Sequence, residues 1–80
     1  DVTVFPNPSV DQITIQTSSS FDGLVEVFSS DGKLLKKVEV AFKKSYNLNV
    51  NELKNGIYIL NLRDNKYPES FVTRYFIIFK

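Results

Sequence analysis

Short runs of alternating apolar and polar side chains, broken roughly every ten residues by Gly, Pro, Asn, Asp or Ser, govern this chain from end to end. A period of two sends successive side chains to opposite faces of a strand, and the helical period is absent. Val, Ile, Thr, Phe and Tyr dominate the periodic runs, and these residues suit a pleated, half-buried surface. With 80 residues the chain has the length of one small domain, spanning 1–80, whose core is thin.

The first run, Val2 to Phe5, ends at Pro6-Asn7-Pro8. Two residues without an N–H donor cannot sit in a central strand, so this is read as a rigid kink where the chain leaves one sheet. Gln12 to Thr17 follows, with Ile13 and Ile15 on one face. Ser18-Ser19-Ser20 and Asp22-Gly23 read as a polar loop, and a third strand is expected over Leu24 to Ser29 with Val25 and Val27 inward. Asp31-Gly32 between two alternating runs predicts a hairpin through a primed turn with positive φ at its central residues. The returning strand, Leu34 to about Val40, places Leu34, Val38 and Val40 on one face. Lys43-Lys44 mark the next turn, and Ser45 to Leu48 a short strand. Asn49 to Leu53 has room for one helical turn, with Val50 and Leu53 inward. The sixth run, Gly56 to Arg63, puts Tyr58, Leu60 and Leu62 together. The last, Ser70 to Lys80, is apolar on both faces towards its end: Phe71, Thr73, Tyr75, Ile77 and Phe79 against Val72, Arg74, Phe76 and Ile78. Such a strand is either a contact surface at a sheet edge or a strand covered on both sides. The whole predicts an all-β fold, an immunoglobulin-like antiparallel β-sandwich of about seven strands.

The chemistry the chain lacks narrows its function. It has neither His nor Cys, which removes the usual general base, nucleophile–base pairs, disulfides and thiolate metal sites. The nine carboxylates are scattered singly over turns and strands, and no spacing fits a calcium loop or a phosphate-binding loop. The expectation is therefore a non-catalytic module with no metal and no cofactor. A net charge of +1 and lysines confined to strand ends argue against a nucleic-acid partner. No apolar run is long enough to insert in a membrane as a helix. The chain starts at Asp1 and reads as a fragment of a larger protein.

In order and spacing, Val4-Phe5-Pro6-Asn7-Pro8, Gln12-Ile13-Thr14-Ile15, Val25-Glu26-Val27-Phe28, Ser30-Asp31-Gly32-Lys33, Leu53, Gly56-Ile57-Tyr58 and the strand Arg74 to Lys80 resemble one known family. It is the type A C-terminal sorting domain of the type IX (Por) secretion system, carried by secreted proteins of the Bacteroidetes. The resemblance covers nearly the whole chain. It implies a sorting signal at the C-terminus of a cargo protein, recognised by an outer-membrane translocon. The route runs through periplasm and outer membrane to a secreted or cell-surface fate. The resemblance further implies that sortase components remove the domain, at or before the first strand near Asp1 or upstream, and that the cargo is released or anchored to lipopolysaccharide. It also implies that the terminal strand, Arg74, Tyr75, Phe76, Ile77, Ile78, Phe79 and Lys80, carries recognition. The family often ends in closely spaced lysines, whereas here the basic positions are Arg74 and Lys80. Pro6, Asn7, Pro8, Gly32, Gly56 and Tyr58 are read first as fold residues: rigid backbone at the kink, positive φ at the hairpin, a tight start to the Tyr58 strand. An uncovered edge would also allow weak self-association. Two other roles suit such a sandwich. One is a carbohydrate-binding or adhesive accessory module of a secreted enzyme, with Tyr46, Tyr67 and Tyr75 stacking on sugars; the other is a plain spacer.

Overall fold

In a computed structural model describing residues 1–80, the seven runs are seven strands: β1 (Val2–Phe5), β2 (Gln12–Thr17), β3 (Phe21–Ser29), β4 (Leu34–Phe42), β5 (Ser45–Asn49), β6 (Gly56–Asp64) and β7 (Phe71–Ile78). They form two sheets, a three-stranded one in the order β1-β2-β5 and a four-stranded one in the order β4-β3-β6-β7, antiparallel throughout. This is the expected sandwich. The fourth strand stays beside the third instead of joining the first, second and fifth, as it does in the constant-type immunoglobulin arrangement. There is no helix long and apolar enough to cross a membrane.

Period-two patterning becomes packing directly. Ile13 and Ile15 of β2 and Leu48 of β5 meet Val25 and Val27 of β3, Leu60 and Leu62 of β6, and Phe76 and Ile78 of β7 in one buried cluster. The Val50 to Leu53 segment seals one end as a single β-turn, not a helical one. The Leu53 N–H donates to the Val50 carbonyl at 3.0 Å, and both side chains point inward. At the opposite end Phe21, Phe42 and Tyr46 pack in sequence, the first pair tilted and the second stacked, with centroids 5.6 and 5.9 Å apart, where the chain passes from β4 in one sheet to β5 in the other.

Three local readings change. Asp22 and Gly23 lie inside β3, which starts at Phe21. Gly23 sits against the β6 backbone, where a longer side chain has no room. The hairpin is a three-residue loop, not a primed turn. The Gly32 N–H closes a turn onto the Ser29 carbonyl, and Gly32 alone takes positive φ, +91°. Ser29 and Asp31 lock it by a hydroxyl–carboxylate hydrogen bond. Finally, the β3–β4 register shifts between Val27 and Phe28, so that Lys36 faces Val27 but Leu34 faces Phe28. This bulge turns Leu34 away from Val38 and Val40 and leaves it 45% exposed on the outer face.

Tyr58 is built into the corner before β6. Its ring is buried and its hydroxyl donates to the Lys54 carbonyl at 2.6 Å. A tyrosine near the start of the sixth strand that bonds back to the preceding corner is the tyrosine corner of sandwich folds. Gly56, two residues earlier, has φ +159°. A methyl there would keep ordinary 3.7 Å contacts with the Tyr58 ring, so backbone conformation rather than space calls for glycine. Tyr58→Phe is expected to cost about 1–2 kcal/mol, because the Lys54 carbonyl loses its donor at a partly buried site. A shift of the urea midpoint at unchanged m-value is the measurement.

Candidate functional site

The kink and the terminal strand, far apart in sequence, form one structural unit. β7 is the edge strand of the four-stranded sheet. Along its outer edge runs the Pro6–Ser9 segment, parallel to it and joined by a bridge between Ser9 and Ile78. The Ile77 N–H donates to Asn7 Oδ1 at 2.8 Å, the Ser9 N–H donates to the Ile77 carbonyl at 2.7 Å, and the Phe79 N–H donates to the Ser9 carbonyl at 2.9 Å. Thus the strap pairs through its odd positions. Pro6 and Pro8 fall at the alternate ones, where a missing N–H costs no bond to β7 and leaves no donor for another strand outside. Ser9 is 1% exposed, and its hydroxyl donates to the Pro6 carbonyl. Sequence reading passed over Ser9, because its partners lie at the far end of the chain.

Arg74 continues the closure. Its Nε donates to the Val2 carbonyl at 2.9 Å and one terminal nitrogen to the Thr73 carbonyl at 2.9 Å, tying β7 to β1 across the gap between the sheets. Two of the guanidinium's donors are therefore held inside the domain. Phe76 and Ile78 point into the core, at 0% and 1% exposed. The remaining residues of the strand look outward: Tyr75, Ile77 and Phe79, followed by Lys80. The Lys80 Nζ donates to the Asn51 carbonyl at 2.7 Å and its backbone N–H to Asn55 Oδ1 at 2.8 Å, which anchors the chain end.

The outer face of this sheet divides sharply into rows. Glu39, Leu24, Arg63 and Phe71 form one row across the four strands, with the Arg63 guanidinium 5.0 Å from the Phe71 ring centroid. Lys37, Glu26, Asn61 and Thr73 form the next, closed by a 2.8 Å bond from the Thr73 hydroxyl to Asn61 Oδ1. The third row, Leu34, Phe28, Ile59 and Tyr75, is apolar on all four strands, and the Ile57–Ile77 pair lies beyond it. Nearby carboxylates are already engaged. The Ser29 hydroxyl, its own backbone N–H and Lys33 hold Asp31 below the usual carboxylate range. A 3.0 Å bond from Lys36, then its own backbone N–H, hold Glu52 below it too.

The tyrosines do not form one platform. Tyr46 is half-buried against Phe42, Tyr75 belongs to the apolar row, and Tyr67 lines an open cleft of about 280 Å³ at the other end with Phe21, Asp64 and Phe71.

Asn7→Ala is expected to loosen the strap without unfolding the domain, costing about 1 kcal/mol for one exposed hydrogen bond. Faster hydrogen exchange at the Ile77 amide, with the Leu60 amide unchanged, would show it.

A family model described as "Secretion system C-terminal sorting domain" matches residues 3–78. A search of curated proteins finds no match.

Proposed function

Because the chain belongs to the C-terminal sorting domain family of the type IX secretion system, we propose that it works as a folded export signal that the outer-membrane translocon reads on β7 and its surroundings. A sorting domain of this family acts with the type IX machinery and is exported to a secreted or cell-surface fate. The observation that carries the finer reading is the state of the terminal strand. Phe76 and Ile78 fasten it into the core while Tyr75, Ile77 and Phe79 remain exposed beside it. A signal of this kind is legible only once the domain has folded, because the strap, β1 and β6 are what present those side chains.

In this reading the module is the substrate of processing and not its catalyst. The sortase cuts at or upstream of β1, and the cargo is released or anchored to surface lipopolysaccharide. Fused to the C-terminus of a periplasmic reporter in a strain carrying the type IX system, the chain should deliver the reporter to the cell surface or the medium. A folded fusion retained in the periplasm would sink the reading. The mass of the exported reporter reports the cut: a product that keeps the whole module after export counts against processing.

A further inference from the structure

We propose that the apolar end of the outer sheet face, centred on the Leu34–Phe28–Ile59–Tyr75 row with Ile57, Ile77 and Phe79, is a transient docking surface for a protein of the secretion machinery, and that recognition is by side chains on this face and not by strand addition at the β7 edge. The proposal rests on the sorting reading above and specifies which atoms are read.

The pattern of the face is the first support. A solvated sheet face ordinarily carries polar side chains; here the second row is polar on all four strands, and the first mixes Glu39 and Arg63 with Leu24 and Phe71. The third is apolar across four strands, and Leu34 joins it only because the bulge opposite Val27 and Phe28 turns it outward. The fold leaves Leu34 45%, Ile57 53%, Tyr75 64%, Ile77 41% and Phe79 68% exposed in one region. Clustered apolar exposure of this kind marks an interaction surface.

The edge is the second support. Strand addition needs a row of free N–H and C=O groups. Along the end of β7 those groups are taken by Asn7 and Ser9, the Thr73 carbonyl is covered by Arg74, and the outer side of the strap carries two prolines. At this end of the strand, beside the apolar row, side chains are what remains to be read.

Area and charge identify the occupant. The five exposed residues present on the order of 500 Å², the size of patch through which proteins make functional contacts. That is below the roughly 800 Å² per partner of a stable complex and suits a contact that must form and release during export. The apolar rows contain no charge. Lys33 and Lys80 flank Leu34 and Phe79, but both are offset: Lys33 lies beside Asp31, and Lys80 acts on Glu52 and donates to the Asn51 carbonyl. The partner surface is therefore an apolar groove that needs no charge of its own.

The test uses the reporter fusion. The triple substitution Tyr75→Thr, Ile77→Thr, Phe79→Ser removes exposed apolar surface and keeps strand-forming residues at 75 and 77. Export is expected to fall at least tenfold, with the melting temperature of the purified domain within a few degrees of the parent. Lys37→Gln with Glu39→Gln, on the polar rows of the same face, should export normally. Ile57→Thr, on β6, should lower export in the same direction, and serves as the readout if the triple variant does not fold. Export of the folded face variants at the parental level overturns the proposal while leaving the sorting reading intact. Retention of the unaltered fusion overturns both. Dimerisation abolished by the triple substitution in sedimentation, or face-dependent binding to phosphatidylethanolamine–lipopolysaccharide vesicles, would assign the surface to a second copy or to lipid and overturn it as well.

Discussion

Replacement of Phe76 by alanine is expected to leave the domain largely unfolded at physiological temperature. The ring is 0% exposed, faces Tyr58 across the β6–β7 ladder and stacks on it with centroids 5.6 Å apart. Truncating such a side chain costs about 3–5 kcal/mol, from lost transfer energy and the cavity left behind. A chain of 80 residues has only about 4–12 kcal/mol in total. The melting temperature should fall by roughly 15–30 °C, since each kcal/mol moves a domain of this size by several degrees. Thermal melts followed by circular dichroism measure it, and a loss below about 1 kcal/mol would mean the ring is not the packed anchor described. The consequence for function is direct. Deleting residues 76–80 removes Phe76, Ile78 and the partners of the strap together, so loss of export on such a deletion would report unfolding before it reported a missing signal. Only the outward residues of β7 separate the two effects.

Gly23→Ala should cost nearly as much, about 2–4 kcal/mol, although it adds a single methyl group. An added Cβ would lie 2.1 Å from the Arg63 carbonyl oxygen and 2.9 Å from the Phe21 ring. The ring can give way, but the carbonyl belongs to the β6 backbone, in the ladder where Gly23 faces Asp64. The β3–β6 ladder would have to part at that point. Urea unfolding of the variant should show a lowered midpoint, and exchange protection should weaken first at the ends of β3 and β6. Gly32→Ala makes a useful contrast, because nothing lies within 4 Å of its added carbon and only the φ of +91° is strained. Its cost should be the smaller of the two.

The two glycines show where sequence reading succeeds and where it stops. Gly32 was legible because a turn is local: Ser-Asp-Gly-Lys between alternating runs leaves little choice of conformation. Gly23 reads as loop from sequence alone because the atom that excludes a side chain there belongs to Arg63, on another strand. Leu34 failed similarly. Its parity with Val38 and Val40 is unambiguous along one strand, but a bulge is a mismatch between two strands and leaves no mark in either alone. At the candidate site Pro6, Asn7 and Pro8 were visible as a rigid kink. That they form a strap on the strand more than sixty residues later was not.

The sequence by itself determined that this protein is an all-β sandwich with neither histidine nor cysteine. Alternation and turn chemistry act between near neighbours, and the absence of His and Cys needs no coordinates. Only the tertiary structure decided which face of the terminal strand is core and which is open, that the last part of its edge is covered by the strap, and that four strands contribute one residue each to a single apolar row. These properties depend on register, and register belongs to pairs of strands rather than to any one of them.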